Sequence, residues 1–508
     1  MSLINISHLT FSYDGSYDDI FTDVSFQIDT DWKLGFCGRN GRGKTTFLKL
    51  LMGQYEYRGT ISASAAFEYF PFPVADTSRD TLDILSDVAP DAQIWEIQRE
   101  LSKLAVDESA LYRPFATLSN GERTKTLLAG LFLRENRFLL IDEPTDHLDM
   151  AARETVARYL NDKAGFILVS HDRAFLDACV DHTLSVNKNS IEIVAGNFSV
   201  WWEQKQRQDA FELARNEKLV KEIGRLESAA RRTSKWSDDA EKRKTGIDPN
   251  KVDNKFGWAP KQAAKSKKMM ARSKAIQTRQ QSNIEEKSKL LKNLEKADTL
   301  KLQPLTYHTS RLLSLENVTV AYDSRAIFRD VSFSLEQGER LALLGGNGSG
   351  KSSLLKLILG EDIPHTGRAD IGGRLIISYV PQDASFLSGD LSGYAEEQEI
   401  DETLFLTILR KLDFSRTQFD KDMRDYSAGQ KKKVLIARSL CQRAHVYIWD
   451  EPLNYIDVLS RMQIEELILA YQPTLLFVEH DRAFCDNIAT KTVQLTSCCR
   501  AAATRNTP

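Results

Sequence analysis

Short apolar runs recur through both halves of the chain, and each is followed by a glycine-rich or an acidic stretch. The runs at 33–37 and 341–344 lead into glycine-rich loops, whereas those at 138–141 and 446–449 end in two carboxylates. Apolar runs of this length are typical of strands that are buried on both faces of a parallel sheet. A helix is expected after each glycine-rich loop, so the pattern predicts an α/β fold in both halves.

The middle of the chain, residues 202–304, has a different pattern. Apolar residues form two stripes there, the first made of Phe211, Leu219, Ile223 and Leu226 and the second of Ile284, Leu290, Leu291 and Leu294. Two such stripes predict two antiparallel helices that pack on each other. Glycines and prolines between positions 231 and 274 should interrupt the helices, so this range is expected to be the tip of an α-helical hairpin.

The two outer segments are related by an internal repeat. Five pairs of residues keep a spacing of 307 to 309 positions, namely Tyr13 and Tyr322, Lys44 and Lys351, Ser119 and Ser427, Asp142 and Asp450, and His171 and His480. One period held over this distance predicts a duplicated domain. The expected organisation is a first domain at 1–201, a linker at 202–304, a second domain at 305–497 and a tail at 498–508 with no assigned role.

Each repeat contains the sequence G-x-x-x-x-G-K-[ST], from Gly38 to Thr45 in the first and from Gly345 to Ser352 in the second. The glycines let backbone N–H groups converge on phosphate oxygens, and the N-terminus of the next helix adds its positive end. Lys44 can reach the β- and γ-phosphates of a nucleotide, and the Thr45 hydroxyl can hold Mg²⁺. The alternative, a chance glycine-rich turn, does not explain the strand before the loop and the helix after it.

Acidic residues end the second apolar strand of each repeat. The pairs are Asp142-Glu143 and Asp450-Glu451. The first acid of such a pair can hold Mg²⁺, and the second can polarise an attacking water. His171 and His480, each after a further apolar strand, could sense a γ-phosphate, although a lone histidine at such a place is usually a surface or capping residue. Alone, each signal is weak, but their order after a phosphate loop favours a nucleotide-hydrolysing site.

A short polar motif opens a predicted helix ahead of each acid pair. Ser119 and Ser427 suit the N-cap position, and Gly121 and Gly429 follow two residues later. Small residues behind a serine N-cap leave a bare helix end that can approach an anion. Without the other motifs, a plain N-cap would be the preferred interpretation.

Composition and charge set limits on the class of protein. The 508 residues carry a net charge of −3, yet residues 201–300 hold 25 Lys and Arg against 15 Asp and Glu. The sequence has no secretory signal and no apolar run near the roughly 18 residues of a membrane span, so a cytoplasmic location is expected. Six cysteines without metal-ligand spacing indicate reduced thiols.

The positive charge is concentrated at the predicted tip. Residues 231–274 contain 14 Lys and Arg against 5 Asp and Glu, together with the large apolar residues Trp236, Phe256, Trp258, Met269 and Met270. Cations neutralise phosphates and aromatic rings stack on exposed bases, which favours nucleic acid as the partner. A solvated face and an anionic membrane surface are alternatives that the charge alone leaves open.

In this order and twice, the motifs resemble those of ATP-binding-cassette ATPases, and the resemblance covers nearly all of both outer domains. It implies two P-loop cassettes that pair head to tail within one chain, which would act as a monomer. Each ATP would lie between the phosphate loop of one cassette and the serine-glycine signature of the other. Site one would join Lys44 to Ser427 and Gly429, and site two would join Lys351 to Ser119 and Gly121.

The resemblance also implies a role for individual residues. ATP would be bound by Tyr13, Gly38, Asn40, Gly41, Gly43, Lys44, Thr45, Thr46, Ser119, Gly121, Tyr322, Gly345, Asn347, Gly348, Gly350, Lys351, Ser352, Ser353, Ser427 and Gly429. The two tyrosines would stack on adenine. Mg²⁺ would be held by Thr45, Asp142, Ser352, Gln382 and Asp450, and the catalytic residues would be Glu143, Glu451, His171 and His480. Asp149 and Asp457 match the turn aspartates of the family.

Two departures from the family pattern bear on the sites. The second cassette keeps the glutamine of the family at Gln382, whereas Phe72 stands at that place in the first, so metal ligation or coupling is expected to differ at site one. Both signatures differ from Leu-Ser-Gly-Gly-Gln, at Asn120, Glu122, Tyr426 and Ala428. Each keeps the serine and the second glycine, so ATP sandwiching is expected to survive.

Two cassettes with a long basic linker and no membrane span resemble the ABC-F class of ribosome-binding ATPases, and most of all its antibiotic-resistance branch of Lsa type. This implies contact with the bacterial 70S ribosome, through 23S rRNA near the peptidyl-transferase centre and the P-site tRNA. It also implies protection from lincosamides, pleuromutilins and streptogramin A. The alternatives are a housekeeping ABC-F translation factor, the ATPase subunit of a transporter, and a DNA-repair ATPase, although the last class usually carries zinc-binding cysteines.

Overall fold

The computed structural model describes residues 2–13, 19–134, 136–146, 148–186, 191–245, 304–322 and 325–496. The chain divides into two compact units, one made of 1–201 with 299–508 and the other of 202–298. No helix within the described ranges is both long and apolar enough to cross a membrane. The predicted tail at 498–508 lies outside the described residues.

The first repeat is built on two sheets. Its strands are β1 Leu3–Phe11, β2 Phe21–Asp29, β3 Lys33–Cys37, β4 Arg58–Ser62, β5 Ala66–Phe70, β6 Arg137–Asp142, β7 Phe166–Val169, β8 His182–Val186 and β9 Ile191–Ala195. An antiparallel sheet has the order β2-β1-β4, and a larger sheet has the order β5-β6-β7-β3-β8-β9. The helices are Lys44–Leu51, Thr81–Val88, Ile94–Lys103, Asn120–Phe132, Met150–Asn161 and Arg173–Cys179, with short 3-10 helices at Glu108–Tyr112 and Phe115–Thr117.

The second repeat has the same plan. Its strands are β10 Arg311–Tyr322, β11 Arg325–Glu336, β12 Arg340–Leu344, β13 His365–Ile371, β14 Ile377–Val380, β15 Val446–Asp450, β16 Leu475–Val478 and β17 Lys491–Gln494. The sheet orders are β11-β10-β13 and β14-β15-β16-β12-β17, so the strands correspond one to one with those of the first repeat up to β8. The helices are Lys351–Ile358, Leu391–Glu397, Glu402–Lys411, Arg416–Phe419, Ala428–Cys441, Val458–Tyr471 and Arg482–Ile488, with a 3-10 helix at Met423–Asp425.

The parallel strands place the motifs at one edge of each large sheet. Strand β3 pairs in parallel with β7 and β8, and β6 pairs in parallel with β5 and β7. Leu34 and Phe36 of β3 are fully buried, as is Phe47 of the next helix, because they pack in one core with the apolar residues of the antiparallel sheet. Ligands bind at the carboxyl ends of strands in sheets of this kind, and the glycine loop and the acid pair both follow carboxyl ends.

One long helix, Phe198–Thr245, contains the start of the predicted linker and reaches into the range predicted as its tip. Leu219 and Ile223 are half-buried, but Phe211 is 68 % exposed, contrary to its expected place on the apolar stripe. The reason is geometric, since eight residues at 3.6 per turn place Phe211 roughly 80° away from Leu219 around the helix. The predicted second helix, with its own stripe, lies outside the described residues.

A buried carboxylate, Glu100, joins the helical layer of the first cassette to its core. Its carboxylate accepts hydrogen bonds from the Tyr159 hydroxyl (2.8 Å), the Lys103 ammonium (2.9 Å) and the Lys163 ammonium. Burial alone would raise the pKa of Glu100, but these donors outweigh it and lower the pKa to about 2. Because the pKa is lower in the folded state, the stabilisation is complete above the ordinary value of 4.5 and is lost as the pH falls through about 2.

We therefore expect Glu100→Gln to lower the free energy of unfolding by about 3 kcal/mol at pH 7, because the ammonium groups of Lys103 and Lys163 lose the buried anion that they bind. The difference from the parent should shrink as the pH falls toward 3. Urea unfolding followed by circular dichroism at several pH values measures both effects. Asp87→Asn is the matched control, since Asp87 pairs with Arg79 at the surface and should leave the midpoint unchanged. An equal loss at pH 7 and pH 3 would contradict the role given to the Glu100 charge.

Candidate nucleotide sites

Both glycine loops have the backbone shape that a phosphate loop requires. Gly43 and Gly350, directly before the two helices, have left-handed φ values of 87° and 92°. A Cβ atom at Gly43 would lie 2.5 Å from Ile20 Cγ2, and one at Gly350 would lie 2.7 Å from Ile327 Cγ2. Only glycine therefore fits at these two positions, both for its backbone angle and for the space available.

The lysine that follows each loop points back into it. Lys44 Nζ donates to the carbonyls of Gly38 (2.7 Å) and Arg39 (3.2 Å), and Lys351 Nζ donates to the corresponding carbonyls at 2.9 and 3.1 Å. Both lysines are buried, and burial lowers the pKa of each against the opposing effect of nearby carboxylates. A buried cation inside a loop of convergent N–H groups is a good fit for a polyphosphate.

Hydroxyl and carboxylate oxygens meet next to each loop, as a Mg²⁺ site requires. Thr45 Oγ1 donates to Asp142 Oδ2 (2.8 Å), and the Tyr69 hydroxyl donates to the same atom (2.9 Å). In the second cassette Ser352 donates to Asp450, whose other oxygen, Oδ1, is buried without a hydrogen-bond partner in the described part of the chain. These oxygens would hold Mg²⁺, which when bound neutralises charge on the β- and γ-phosphates.

The second carboxylate of each acid pair lies beside the predicted histidine. Glu143 Oε1 is 3.2 Å from His171 Nε2, and Glu451 Oε1 is 3.5 Å from His480 Nε2. Burial lowers the pKa of His171 well below its ordinary value, and the nearby Lys44 lowers it further, so this imidazole is neutral. The structure thus brings the four predicted catalytic residues together in two pairs.

The two glutamates differ in their remaining neighbours. Glu451 Oε2 accepts from Gln382 Nε2 (2.7 Å) and from Asn454 Nδ2 (2.8 Å). Burial opposes ionisation of Glu451, but the donors from His480, Gln382 and Asn454 lower its pKa to about 2. Gln382, predicted as a metal ligand, therefore contacts the second acid of the pair rather than Asp450.

Site one lacks both of these donors. Phe72 stands at the place of Gln382, and Asp146, three residues after Glu143, stands at the place of Asn454. Burial, followed by the charges of Asp146 and Asp142, raises the pKa of Glu143 to about 8. The sequence predicts a difference between the two sites at Phe72, and the structure adds a second difference at Asp146.

Both signature serines cap helices, as predicted. Ser119 Oγ accepts from the backbone N–H of Glu122, and Ser427 Oγ accepts from that of Gln430, each at 3.3 Å. In both cases the side chain at the third helical position returns a bond to the backbone of the serine, forming a capping box. Two serine hydroxyls are thereby fixed at the N-terminus of a helix, where the dipole favours an anion.

At site one the phosphate loop of the first cassette contacts the second cassette. Asn40 Nδ2 donates to the Tyr455 carbonyl (2.9 Å), and that carbonyl lies directly against Gly429 of the signature. Arg39 and Arg42 also form ion pairs with Asp413, at 3.3 and 3.6 Å. These contacts place one end of the signature helix beside the first phosphate loop, in the head-to-tail sense that the resemblance implies.

At site two the turn aspartate of the first cassette lies beside the second phosphate loop. Asp149 Oδ2 lies near Gly346 of the second phosphate loop, and its charge acts on Lys351. Further bonds join the cassettes between the two sites, including Arg153 Nη1 to the His480 carbonyl (3.2 Å). The turn aspartates also cap the next helices, at Ala152 and Ser460.

The predicted adenine-stacking tyrosines flank the two loops. The Tyr13 hydroxyl is 2.8 Å from Thr46 Oγ1, and the Tyr322 hydroxyl donates to Ser353 Oγ (3.4 Å). The two tyrosines are 43 % and 39 % exposed, so a base can approach them. Both tyrosines therefore lie within reach of a nucleotide held by the loop of their own cassette.

Sequence reasoning missed several residues at these sites. Asp146 and Asn454 occupy equivalent places in the repeats, so aligning the two copies could have revealed the exchange of an acid for an amide. Tyr455 contributes its backbone carbonyl, and Lys432 donates to backbone carbonyls. Neither contact has a signal in the residue types alone.

Proteins of similar sequence also contain ATP-binding cassettes or act on ribosomes, by their names. A family described as ABC transporter matches residues 21–146 and 328–454. The ribosome protection protein VmlR of Bacillus subtilis is 28% identical over 498 residues, which cover 94% of this chain and 84% of that protein. The energy-dependent translational throttle protein EttA of Haemophilus influenzae is 25% identical over 528 residues, covering 93% and 88%.

The fold also has a counterpart among solved structures. The crystal structure of the complex of archaeal ribosomal stalk protein aP1 and archaeal ribosome recycling factor aABCE1 contains a chain that matches with a TM-score of 0.61. Identity is 19%, and the match covers 96% of this chain and 87% of that one. The predicted α/β fold with two tandem cassettes is therefore confirmed.

Proposed function

Since this chain is an ATPase built from two tandem ABC-type cassettes, we propose that it is an ABC-F protein that protects the bacterial 70S ribosome from antibiotics. The observation that carries the proposal is the extent of the similarity to the ribosome protection protein VmlR, which spans 94% of the chain. That span exceeds the two cassettes and therefore includes much of the basic middle segment. The proposed place of action is the cytoplasm, where ribosomes are found.

The charge of the middle segment supports an RNA partner. Residues 231–274 hold 14 Lys and Arg against 5 Asp and Glu, an excess that can neutralise rRNA phosphates. We place this segment in the tRNA exit site, with its tip near the peptidyl-transferase centre of the 23S rRNA and beside the P-site tRNA. Drugs bound at that centre, of the lincosamide, pleuromutilin and streptogramin A classes, would be displaced.

The cassettes would control this binding through ATP. Lys44 and Lys351 would bind the β- and γ-phosphates, while Ser427 and Ser119 would complete each site from the opposite cassette. Two closed sites would hold the cassettes together in the ribosome-binding form. Glu143 and Glu451 would then position water for hydrolysis, and the loss of the γ-phosphate would release the pair.

The experiment that tests the proposal has two measurements. A double variant with Glu143→Gln and Glu451→Gln should bind ATP without hydrolysing it, and most of it should sediment with 70S ribosomes at moderate salt. Its control is Lys44→Ala with Lys351→Ala, which should not close and should stay in the supernatant. If the glutamine variant also sediments free of ribosomes, the proposed function is wrong.

Drug protection is measured in the second arm. Expression of the parent protein in a susceptible strain should raise the inhibitory concentrations of a lincosamide and a pleuromutilin at least fourfold, whereas the glutamine variant should not. Ribosome binding without any such rise would favour a housekeeping translation factor. That second candidate has an observation in its favour, because the throttle protein EttA is similar over 93% of the chain.

A further inference from the structure

We propose that Lys432 is a positioning residue that couples the two ATP sites through one helix. The helix Ala428–Cys441 begins at Ser427, which serves site one, and carries Lys432 in its second turn. The Lys432 ammonium holds the backbone of the residues that form site two. A displacement of the helix at site one would therefore move the backbone of site two, and a displacement of that backbone would move the helix.

Among the described residues, the hydrogen bonds of the Lys432 ammonium go to main-chain oxygens. Its Nζ donates to the carbonyls of Pro381 (2.8 Å), Glu451 (3.1 Å) and Asp450 (3.5 Å). Pro381 directly precedes Gln382, and Glu451 accepts a hydrogen bond from the Gln382 side chain. One ammonium group thus fixes the main chain on both sides of the contact that orients the site-two carboxylate.

The character of the site explains why the residue is a lysine. Lys432 is only 2 % exposed, and an ammonium can give three hydrogen bonds, which matches the three carbonyls that converge on it. A buried cation is tolerated where its donors are satisfied and carboxylates are near. Burial lowers the pKa of Lys432 to about 8, although Glu479, Asp450 and Glu451 act in the opposite direction.

The N-terminus of the same helix lies at site one. Gly429 lies against the Tyr455 carbonyl that accepts from Asn40, in the phosphate loop of the first cassette. Five residues separate Ser427 from Lys432, which is about 7 Å along the helix axis. Over so short a length a helix is effectively rigid, so a movement of its N-terminus is passed directly to the ammonium.

The first cassette has a different residue at the place of Lys432. Thr124 occupies the place of Lys432 in the first cassette, and a threonine side chain is too short to reach three converging main-chain carbonyls. The coupling is therefore expected to run through the second cassette, from its signature at site one to its own acid pair at site two. Thr124 also provides a matched control position.

The test is a double-mutant cycle on hydrolysis at site two, isolated by the background substitution Glu143→Gln. In that background, Ser427→Ala removes a site-one group and should slow site-two turnover about fivefold while Lys432 is present. With Lys432→Met, which keeps the length and removes the donors, Ser427→Ala should have less than about a twofold effect. Thr124→Met should leave the fivefold effect intact.

A readout that is independent of turnover is amide hydrogen exchange without nucleotide. Lys432→Met should speed exchange in the segments that contain Gln382 and Glu451, and Thr124→Met should not. If Lys432→Met fails to fold, Lys432→Gln, which retains one donating group, takes its place in both measurements. The proposal is overturned if Ser427→Ala has the same effect with and without Lys432, or no effect at site two at all.

Discussion

Replacing Gly429 with alanine should lower ATP turnover at least tenfold while the cassettes remain folded. A Cβ atom there would lie 2.3 Å from the Tyr455 carbonyl oxygen and 3.5 Å from Asn40 Nδ2. The first distance is far below van der Waals contact, and the atom it meets is backbone. The Tyr455 carbonyl must then move, and it would lose the hydrogen bond that it accepts from Asn40 across the cassette interface.

The loss should affect the whole ATPase cycle. A displaced signature hinders closure at site one, and the helix that carries it passes the displacement through Lys432 to the backbone of site two. A loss of closure of about 1.4 kcal/mol corresponds to the tenfold effect. Steady-state turnover and the affinity for a fluorescent ATP analogue measure the effect, and thermal unfolding checks that the fold survives.

Gly373→Ala is the matched control, since a Cβ atom at that glycine meets nothing within 4 Å. It should leave turnover and nucleotide affinity unchanged. A second comparison is Asn40→Ala, which removes the same hydrogen bond without the steric conflict and should have a smaller effect. Parent-like turnover in Gly429→Ala would show that the contact between Asn40 and the Tyr455 carbonyl does not matter for closure.

The sequence could predict the parts of the sites that depend on backbone shape. A glycine loop between a buried strand and a helix, and a serine at a helix start, follow from local sequence, and the structure places both as expected. The position of the acid pairs at the ends of β6 and β15 follows from the same periodicity. These features need no knowledge of tertiary contacts.

Other features depend on contacts between distant segments. The partner of Gln382 is set by the approach of its loop to β15, 69 residues later in the chain, which no local pattern reveals. Lys432 reads as one of three consecutive lysines, yet its environment differs from that of an exposed lysine because the helix packs its ammonium against carbonyls. Phe211 shows the opposite error, because its apolar side chain predicts a place on the stripe, whereas its angle around the helix turns it toward solvent.

The two ATP sites should turn over at different rates, with site two faster near neutral pH. Glu451 is oriented by two amide donors, Gln382 and Asn454. Glu143 has Phe72 and Asp146 at the corresponding places, and its Oε1 atom lies 3.2 Å from the neutral His171. An oriented, ionised carboxylate is the better group for positioning water. Glu451→Gln should therefore reduce total turnover about tenfold or more, and Glu143→Gln by less than about twofold.

Exchanging the acid and the amide between the sites tests the cause. In a Glu451→Gln background, which isolates site one, Asp146→Asn should raise turnover several-fold, because an amide can donate to Glu143 where a carboxylate repels it. Site-one turnover should also rise with pH through about 8, since the raised pKa of Glu143 leaves it protonated below that value, and Asp146→Asn should shift the rise to lower pH.

In a Glu143→Gln background, Asp146→Asn should change nothing, whereas Asn454→Asp should slow site two. Equal losses for Glu143→Gln and Glu451→Gln would show that the hydrogen bonds to Glu451 do not set its rate, because each site would then contribute the same turnover despite the different neighbours of its glutamate.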